Sequence, residues 1–272
     1  MLTGIHVPLI TPFDDAGAVA LGVLERLAHE VLDGGAAGLV ALGTTGEPGS
    51  LDAAERRAVV DTIAAVTRQR GATLLVGAEM TAPGAIALSL VPPFVRPGEE
   101  GVVAHFEAGD GPRVIYHVPY RTGQELSAAT IRRLAAIPGV LGMKYATGAV
   151  DATTVALLAD PPPGFALLGG DDVLISPMLA LGAHGGILAS AHVETSSFVE
   201  LFRAWQDGDV KTARALGDRL AGVSAALFAE PNPTVIKAVL HAQGRIPSAA
   251  VRLPLLPAGP LPSADAYRLV NR

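Results

Sequence analysis

SAATIRRLAAIPGVLGMK, residues 127–144, contains both repeating elements of this fold. Residues 127–136 have the apolar spacing of an amphipathic helix, and Ser127 is placed to cap its first turn. Residues 140–144 follow as a short apolar run with the composition of a buried strand. A helix followed by a strand that is apolar on both faces is typical of a parallel sheet covered by helices.

The same alternation extends over most of the 272 residues. It predicts strands at residues 4–10, 38–42, 73–78, 89–91, 113–117, 140–144, 165–169 and 185–188. It predicts helices at residues 21–33, 52–70, 127–136, 150–159 and 171–181, the second of which begins with a capping box, DAAE. Eight apolar strands alternating with helices predict a (β/α)8 TIM barrel of the α/β class. An open doubly wound sheet is the alternative, but no Gly-rich dinucleotide motif follows the first strand.

The pattern becomes all-helical after the eighth strand, with predicted helices at residues 195–206, 210–228 and 234–243. We therefore expect a barrel over residues 1–192 and a C-terminal helical region over residues 193–272 that packs on it.

The connection between the third and fourth predicted strands is too short for the fold. Residues 78–91 leave room for a turn at Pro83 and about one helical turn, whereas a parallel crossover with its helix needs at least about 10–12 residues. The third crossover helix is thus expected to be shortened or missing. A smaller shortage is expected over residues 99–111, where the next helix must fit.

Composition excludes several classes of protein. The chain has no cysteine, so a disulfide scaffold, a thiolate zinc site and a cysteine nucleophile are excluded. A net charge of -6 and the lack of a basic stripe argue against nucleic-acid binding. The apolar runs are too short for a membrane span, and residues 1–6 do not resemble a cleaved leader, so we expect a cytoplasmic protein. The seven histidines show no metal-ligand spacing, and we predict no metal site.

One of the three lysines lies at the end of a predicted buried strand. Desolvation there would lower the pKa of Lys144 and leave a neutral amine that can attack a carbonyl to form a Schiff base. The alternative is a lysine that extends to the barrel rim and pairs with a carboxylate. Lys211 and Lys237 lie in predicted helices and are not expected to compete as buried amines.

Other reactive groups occupy the carboxyl ends of predicted strands, where barrel enzymes place their chemistry. Residues 43–47 (GTTGE) form a turn whose N–H groups and hydroxyls can hold a small carboxylate. Tyr116 lies at the end of predicted strand five and Arg121 follows it, and they supply a phenol and a guanidinium; the alternative is that Tyr116 is a core aromatic. We interpret Asp171 and Asp172 as caps of the next helix rather than as metal ligands. Together these groups suit chemistry on a keto acid.

In five segments the chain resembles the dihydrodipicolinate synthase / N-acetylneuraminate lyase family of class I pyruvate-dependent aldolases. The segments are 43–47 (GTTGE), 116–123 (YHVPYRTG), 142–148 (GMKYATG), 169–172 (GGDD) and 230–233 (EPNP). They occur in family order across nearly the whole chain, which makes the combination specific. The resemblance implies a (β/α)8 barrel with a C-terminal helical region, assembled as a homotetramer or homodimer.

The resemblance also implies roles for individual residues. Pyruvate would form an imine with Lys144, with no cofactor; Tyr116 would relay protons to and from it, and Thr44 would pass them on. Thr45 would hold the pyruvate carboxylate.

Three further positions match the site of the second substrate. Arg121 would grip the carboxylate of an aldehyde, and the backbone carbonyls of Gly170 and Ile187 would line its pocket.

Several positions depart from the family pattern. Two tyrosines often precede Arg96 in the family, one of which completes the proton relay across a subunit interface, but here these positions hold Pro93 and Phe94. Phe94 has no hydroxyl to donate. An asparagine often found late on strand eight is His192 here. The positions of a feedback site for lysine found in some synthases hold Pro48, Ala53, Arg56, Met80 and Pro93.

Three functions follow from this comparison. The first is a synthase that condenses pyruvate with aspartate semialdehyde, favoured by Arg121 and by residues 252–255 (RLPL). The second is another keto-acid aldolase or lyase with a different aldehyde, favoured by Phe94 and His192. The third is a non-catalytic paralogue that binds a keto acid, which the shortened crossover would favour.

Overall fold

A computed structural model describes residues 1–270 and shows a closed barrel of parallel strands in chain order. The strands are β1 (Gly4–Pro8), β2 (Gly38–Ala41), β3 (Thr73–Val76), β4 (Ile86–Leu90), β5 (Arg113–His117), β6 (Val140–Tyr145), β7 (Ala166–Gly169) and β8 (Gly185–Ile187). The predicted (β/α)8 barrel is confirmed. The strand boundaries differ from those predicted by up to three residues, with the largest difference at the start of β4.

The helices form the outer layer and the C-terminal region. Within the described residues they are α1 (Leu21–Asp33), α2 (Ala53–Arg70), α3 (Gly98–Glu107), α4 (Pro119–Thr122), α5 (Ala128–Ala135), α6 (Ala152–Ala159), α7 (Ile175–Ala180), α8 (Thr195–Gln206), α9 (Val210–Leu227), α10 (Thr234–Ala242) and α11 (Pro260–Val270). The capping box of α2 is present: Asp52 accepts from the Glu55 N–H and Glu55 accepts from the Asp52 N–H. Ser127 caps α5, as predicted.

Two apolar layers hold the barrel together. Inward-facing side chains fill its interior, among them Val40, Leu75, Val114 and Leu168. A larger cluster lies between the outer faces of the strands and the helices. Gly142 permits the close approach of β6 to β7, because a Cβ there would lie 2.4 Å from the Ala166 carbonyl oxygen. This approach fixes the carboxyl end of β6 against β7.

The third crossover contains no helix. Residues 77–85 connect β3 directly to β4, which begins at Ile86, three residues before the predicted position. The predicted loss is therefore confirmed. Arg57 Nη1 of α2 donates to the Thr81 carbonyl at 3.1 Å, and Met80, Ala82 and Ala85 pack against the core. The barrel closes because strand pairing, rather than the crossover helix, connects β3 to β4.

The expected shortage over residues 99–111 is not found. Helix α3 occupies ten residues there, with Val102, Val103 and Phe106 buried. It begins directly after Pro97, and Glu99 and Glu100 in its first turn are favourable for the helix dipole.

The region after β8 is helical. Helix α8 packs against β1, α7 and α9, next to the barrel. Helices α9, α10 and α11 contribute to a second apolar cluster that includes Ile10 and Leu27 of the barrel. The predicted region extends to residue 272, and its last two residues, 271–272, lie outside the described part. Among the described residues, no helix is long and apolar enough to cross a membrane.

Candidate active site

Lys144 and Tyr116 lie side by side at the mouth of the barrel. They are register partners on β6 and β5, and the Lys144 Nζ lies 4.4 Å from the centroid of the Tyr116 ring. Lys144 is 9% exposed. Gly170 leaves room for its side chain, since a Cβ at residue 170 would lie 2.9 Å from the Lys144 Cγ. An almost buried amine near the carboxyl end of a barrel strand, beside a phenol, is placed to meet a small carbonyl compound.

The turn after β2 presents two hydroxyls beside this mouth. Thr44 is exposed, whereas Thr45 is 3% exposed, and both belong to a 3₁₀ turn, Thr44–Gly46. Thr45 Oγ1 accepts a hydrogen bond from Asn232 Nδ2 at 3.0 Å. The EPNP segment therefore reaches the turn from the C-terminal region, which explains why both segments accompany one another in the sequence.

Arg121 and Asp171 lie on the opposite side of the mouth. Arg121, on the single turn α4, is exposed, and its Cζ lies 5.7 Å from the centroid of the Tyr120 ring. Asp171 accepts from the Gly148 N–H at 2.7 Å and from the Tyr120 hydroxyl at 3.5 Å. Burial raises the pKa of the Asp171 carboxyl, and burial together with the Asp171 charge raises the pKa of Tyr120 to about 12.

The interpretation of the two aspartates as helix caps is wrong. Asp171 makes no side-chain cap bond, because its carboxylate turns toward Gly148 and Tyr120. Asp172 is buried, and its Oδ2 accepts from the Ser190 N–H at 2.6 Å, joining the ends of β7 and β8. Burial raises the pKa of Asp172 to about 6. Within residues 1–270, no group of three His, Asp or Glu side chains is arranged to hold a metal ion.

A cavity of about 1140 Å³ opens over the mouth. Thr44, Tyr116 and Arg121 line it, so three of the predicted site residues share one space. Ile187 is fully buried in the interior cluster on which Tyr116 packs, so its side chain supports the floor of the mouth. The cavity continues past four of the positions that match the lysine feedback site, namely Pro48, Arg56, Met80 and Pro93.

The expectation that Lys144 has no buried competitor is wrong. Lys237 is 0% exposed, more buried than Lys144, and its Nζ lies 2.5 Å from Glu47 Oε1. Its amine also donates to the Ala250 carbonyl at 2.9 Å, so both contacts hold it away from the barrel mouth. Lys211 is exposed, as expected. The position of Lys237 within the apolar run of α10 was the sequence signal for its burial.

Two positions that depart from the family pattern differ in their surroundings. Phe94 is 90% exposed with φ of 69°, so its ring projects from the cavity rim into solvent. His192 is fully buried, and its Nε2 accepts from the Ile10 N–H at 3.1 Å. Burial lowers the pKa of His192 to about 3, which keeps it neutral and able to accept this bond. His192 thus joins β1 to the end of β8 rather than facing the mouth.

Comparisons with known proteins agree with this geometry. A family model described as the dihydrodipicolinate synthetase family matches residues 1–262. The chain is 36% identical over 274 residues to 4-hydroxy-tetrahydrodipicolinate synthase from Neisseria meningitidis serogroup B, covering 94% of each protein. It resembles the chloride-inhibited dihydrodipicolinate synthase from Acinetobacter baumannii complexed with pyruvate, with a TM-score of 0.91, 30% identity and coverage of 100% and 99% of the two chains. It also resembles DHDPS from Cyanidioschyzon merolae with lysine bound, with a TM-score of 0.91, 27% identity and coverage of 99% and 97%.

Proposed function

This chain belongs to the dihydrodipicolinate synthetase family, and on that premise we propose that it is a class I aldolase that forms an imine with pyruvate at Lys144. Its best-supported reaction is that of 4-hydroxy-tetrahydrodipicolinate synthase, in which the second substrate is aspartate semialdehyde. The observation that carries the proposal is the pairing of Lys144 with Tyr116 at the mouth of the barrel. A curated relative carries this activity in its name, and a similar structure holds pyruvate.

The imine step begins when the Lys144 amine attacks C2 of pyruvate. The carbinolamine loses water to give the imine, and loss of a proton from C3 then gives an enamine that attacks the aldehyde carbon. Tyr116 is the group that moves these protons, because its ring lies against the Lys144 amine, and Thr44 passes them toward the cavity. The imine itself withdraws electrons, so the chemistry needs no cofactor.

Binding of pyruvate is assigned to the turn after β2. The Thr45 hydroxyl and a neighbouring N–H would hold the carboxylate, since neutral donors in a buried turn can bind a small anion. Asn232 fixes the Thr45 side chain from behind by a hydrogen bond of 3.0 Å.

The second substrate would occupy the outer part of the cavity. The Arg121 guanidinium would bind its carboxylate, because a planar guanidinium matches carboxylate geometry. The carbonyls of Gly170 and Ile187 would accept from its polar groups. The exposed ring of Phe94 supplies no hydroxyl on this side, which favours, as a second candidate, a family aldolase that acts on a different aldehyde.

Assembly into a homodimer or homotetramer is supported by the surface around Phe94. Phe94 and Val95 are 90% and 73% exposed, and a subunit contact would remove this apolar surface from water. Sedimentation should give the mass of a dimer or tetramer, and a monomer at micromolar concentration would contradict this part of the proposal. The cytoplasmic location stays a prediction.

Trapping with borohydride tests the imine. Incubation of the full-length protein with pyruvate and borohydride should add one reduced pyruvate to the peptide that contains Lys144. Lys144→Arg should abolish the adduct, because a guanidinium is not deprotonated in proteins, whereas the matched variant Lys211→Arg should retain it. An adduct on Lys211 or Lys237, or none on the wild type, would overturn the proposal. Once trapping is observed, turnover with pyruvate and a panel of aldehydes separates the synthase from the second candidate.

A further inference from the structure

A buried ion pair lies behind the turn that is assigned to pyruvate. Glu47 and Lys237 have side chains that are 2% and 0% exposed, with 2.5 Å between Oε1 and Nζ. The Lys237 ammonium also lies 4.0 Å from the centroid of the Phe13 ring. Removing two charges from water is unfavourable even when they pair, so such a pair is weak evidence for stability and needs another reason.

The pair connects two parts of the chain that are far apart in sequence. Glu47 ends the turn after β2 in the left-handed region, with φ of 52°. Its second oxygen, Oε2, accepts from the Arg252 N–H at 3.0 Å. Both carboxylate oxygens are therefore held by the C-terminal region, and a non-glycine residue is kept in a conformation that is otherwise rarely populated.

A third contact lies on the same turn. Thr45, two residues before Glu47, accepts from Asn232, five residues before Lys237. The C-terminal region thus fixes both the hydroxyl and the end of the turn. The Lys237 side chain is 0% exposed and its amine is engaged by Glu47 and Ala250, so it is not open to a carbonyl substrate.

We propose that Glu47 and Lys237 are positioning residues that hold the turn after β2 in the shape that binds the carboxylate of pyruvate. The inference rests on the proposed function, because it concerns the same imine-forming site. Both side chains are buried and paired with each other, and they act through Thr45 and the N–H groups beside it. The geometry predicts that breaking the pair weakens the binding of pyruvate and leaves the aldehyde side of the cavity unchanged.

The pair should also respond to high pH. Burial lowers the pKa of Lys237 to about 8, against the opposing influence of Glu47, and the Arg252 charge lowers it further. The charged group that faces the pair is thus Arg252, whose guanidinium is itself bound to Glu55. Lys237 is charged below pH 8 and becomes neutral as the pH rises through 8. Glu47 is then left buried without its partner, and the turn loses its anchor.

The test compares Glu47→Gln, Lys237→Met, Lys237→Arg and the double variant Glu47→Gln/Lys237→Met. The pyruvate concentration that gives half-maximal trapping, called half-saturation below, is measured from the borohydride-trapped fraction at pH 7. KM for the aldehyde is measured from turnover. Each neutralising single variant should raise half-saturation by pyruvate about 10- to 100-fold, the range expected when a binding group is misplaced by about 1 Å. KM for the aldehyde should change by less than about twofold. Lys237→Arg should recover part of the loss, because it restores the charge.

The double variant provides the decisive comparison. If the two residues act as one pair, its loss is no larger than that of either single variant, whereas independent effects would multiply. In the wild type, the pyruvate concentration for half-saturation should rise between pH 7 and 9 relative to the double variant, which has no Lys237 to titrate. The control is Arg219→Gln, which breaks the remote ion pair with Glu194 and should leave half-saturation within about twofold.

The outcomes separate this inference from the proposed function. Unchanged half-saturation in the folded variants, with only a lower melting temperature, would show that the pair is structural and overturn the inference alone. Equal losses for pyruvate and aldehyde would also overturn it, because the effect would then be general. A wild type that traps no pyruvate would overturn both. If Glu47→Gln and Lys237→Met do not fold, the comparison uses Lys237→Arg and the double variant, which leaves no unpaired charge.

Discussion

Tyr116→Phe separates proton transfer from binding at the imine. The substitution keeps the ring that lies 4.4 Å from the Lys144 Nζ and removes only the hydroxyl, so the packing at the mouth is retained. Loss of a general acid–base group typically slows a reaction by about 10²–10⁴. At about 1.4 kcal/mol per factor of ten, this corresponds to about 3–5 kcal/mol in the activation barrier. Contacts of the ring alone would not produce a change of this size.

The assay measures imine formation and turnover independently. Rapid mixing with pyruvate followed by borohydride at increasing delays gives the rate and the final extent of trapping. We expect a slower rate but the same final extent, because a proton relay accelerates formation and breakdown equally. Turnover with the aldehyde should fall by a similar factor.

Tyr267→Phe serves as the control, since this residue lies on α11, away from the mouth. It should trap and turn over as the wild type does. Full activity of Tyr116→Phe would refute the assignment and show that protons reach the imine by another route. A loss of final extent with an unchanged rate would instead identify Tyr116 as a binding residue.

Three more outcomes follow from particular residues. Phe94→Tyr restores a hydroxyl at the cavity rim and should raise turnover with aspartate semialdehyde; unchanged turnover with intact trapping would assign a different aldehyde. Free lysine should give no saturable heat in a calorimetric titration, because Met80 and Pro93 offer no side-chain polar groups and Arg56 repels an ammonium; inhibition by millimolar lysine that neither substrate relieves would contradict this. Stability should fall in acid, because burial lowers the pKa of His6 and His117 to about 4 and that of His192 to about 3. Below the unfolded pKa of about 6.5 the unfolded state binds protons that the folded state does not, so the free energy of unfolding falls. The loss is about 2 kcal/mol per histidine at pH 5, and protonation of Asp172 in the folded state offsets about 1 kcal/mol of it. Urea unfolding at pH 7.5 and pH 5 measures the difference, and equal midpoints would contradict it.

The barrel could be predicted because most of its strands are buried along their length; β4, beside the missing helix, is the exception. Continuous apolar runs mark such strands directly, and caps such as Asp52 and Ser127 mark where helices begin. The loss of the third crossover helix was also visible, because a helix needs a minimum number of residues whatever its sequence. Helix α11 was missed because it begins at Pro260 with a second proline two residues later, although proline is compatible with the first turn of a helix.

Side-chain direction limited the prediction of the site. The sequence places Asp171 and Asp172 before a helix, but only the arrangement of β7 against β6 and β8 turns one carboxylate toward Gly148 and the other toward Ser190. Lys237 was placed in a predicted helix and not expected to be a buried amine, because helical spacing alone does not show that both sides of α10 are covered. Long-range contacts of this kind depend on the assembled fold.

The part of the site that departs from the family pattern at Pro93 and Phe94 lies beside the missing helix. Residues 77–85 replace the crossover between β3 and β4, and the cavity rim formed by Met80, Pro93 and Phe94 belongs to this side of the barrel. Lys144 and Tyr116 lie on β6 and β5, and the turn after β2 is held from the C-terminal region rather than by the crossover. None of the contacts described above for Lys144, Tyr116 or the turn after β2 involves residues 77–85. Met80, Pro93 and Phe94 lie where the aldehyde and a neighbouring subunit would approach, so any change in specificity should be located there.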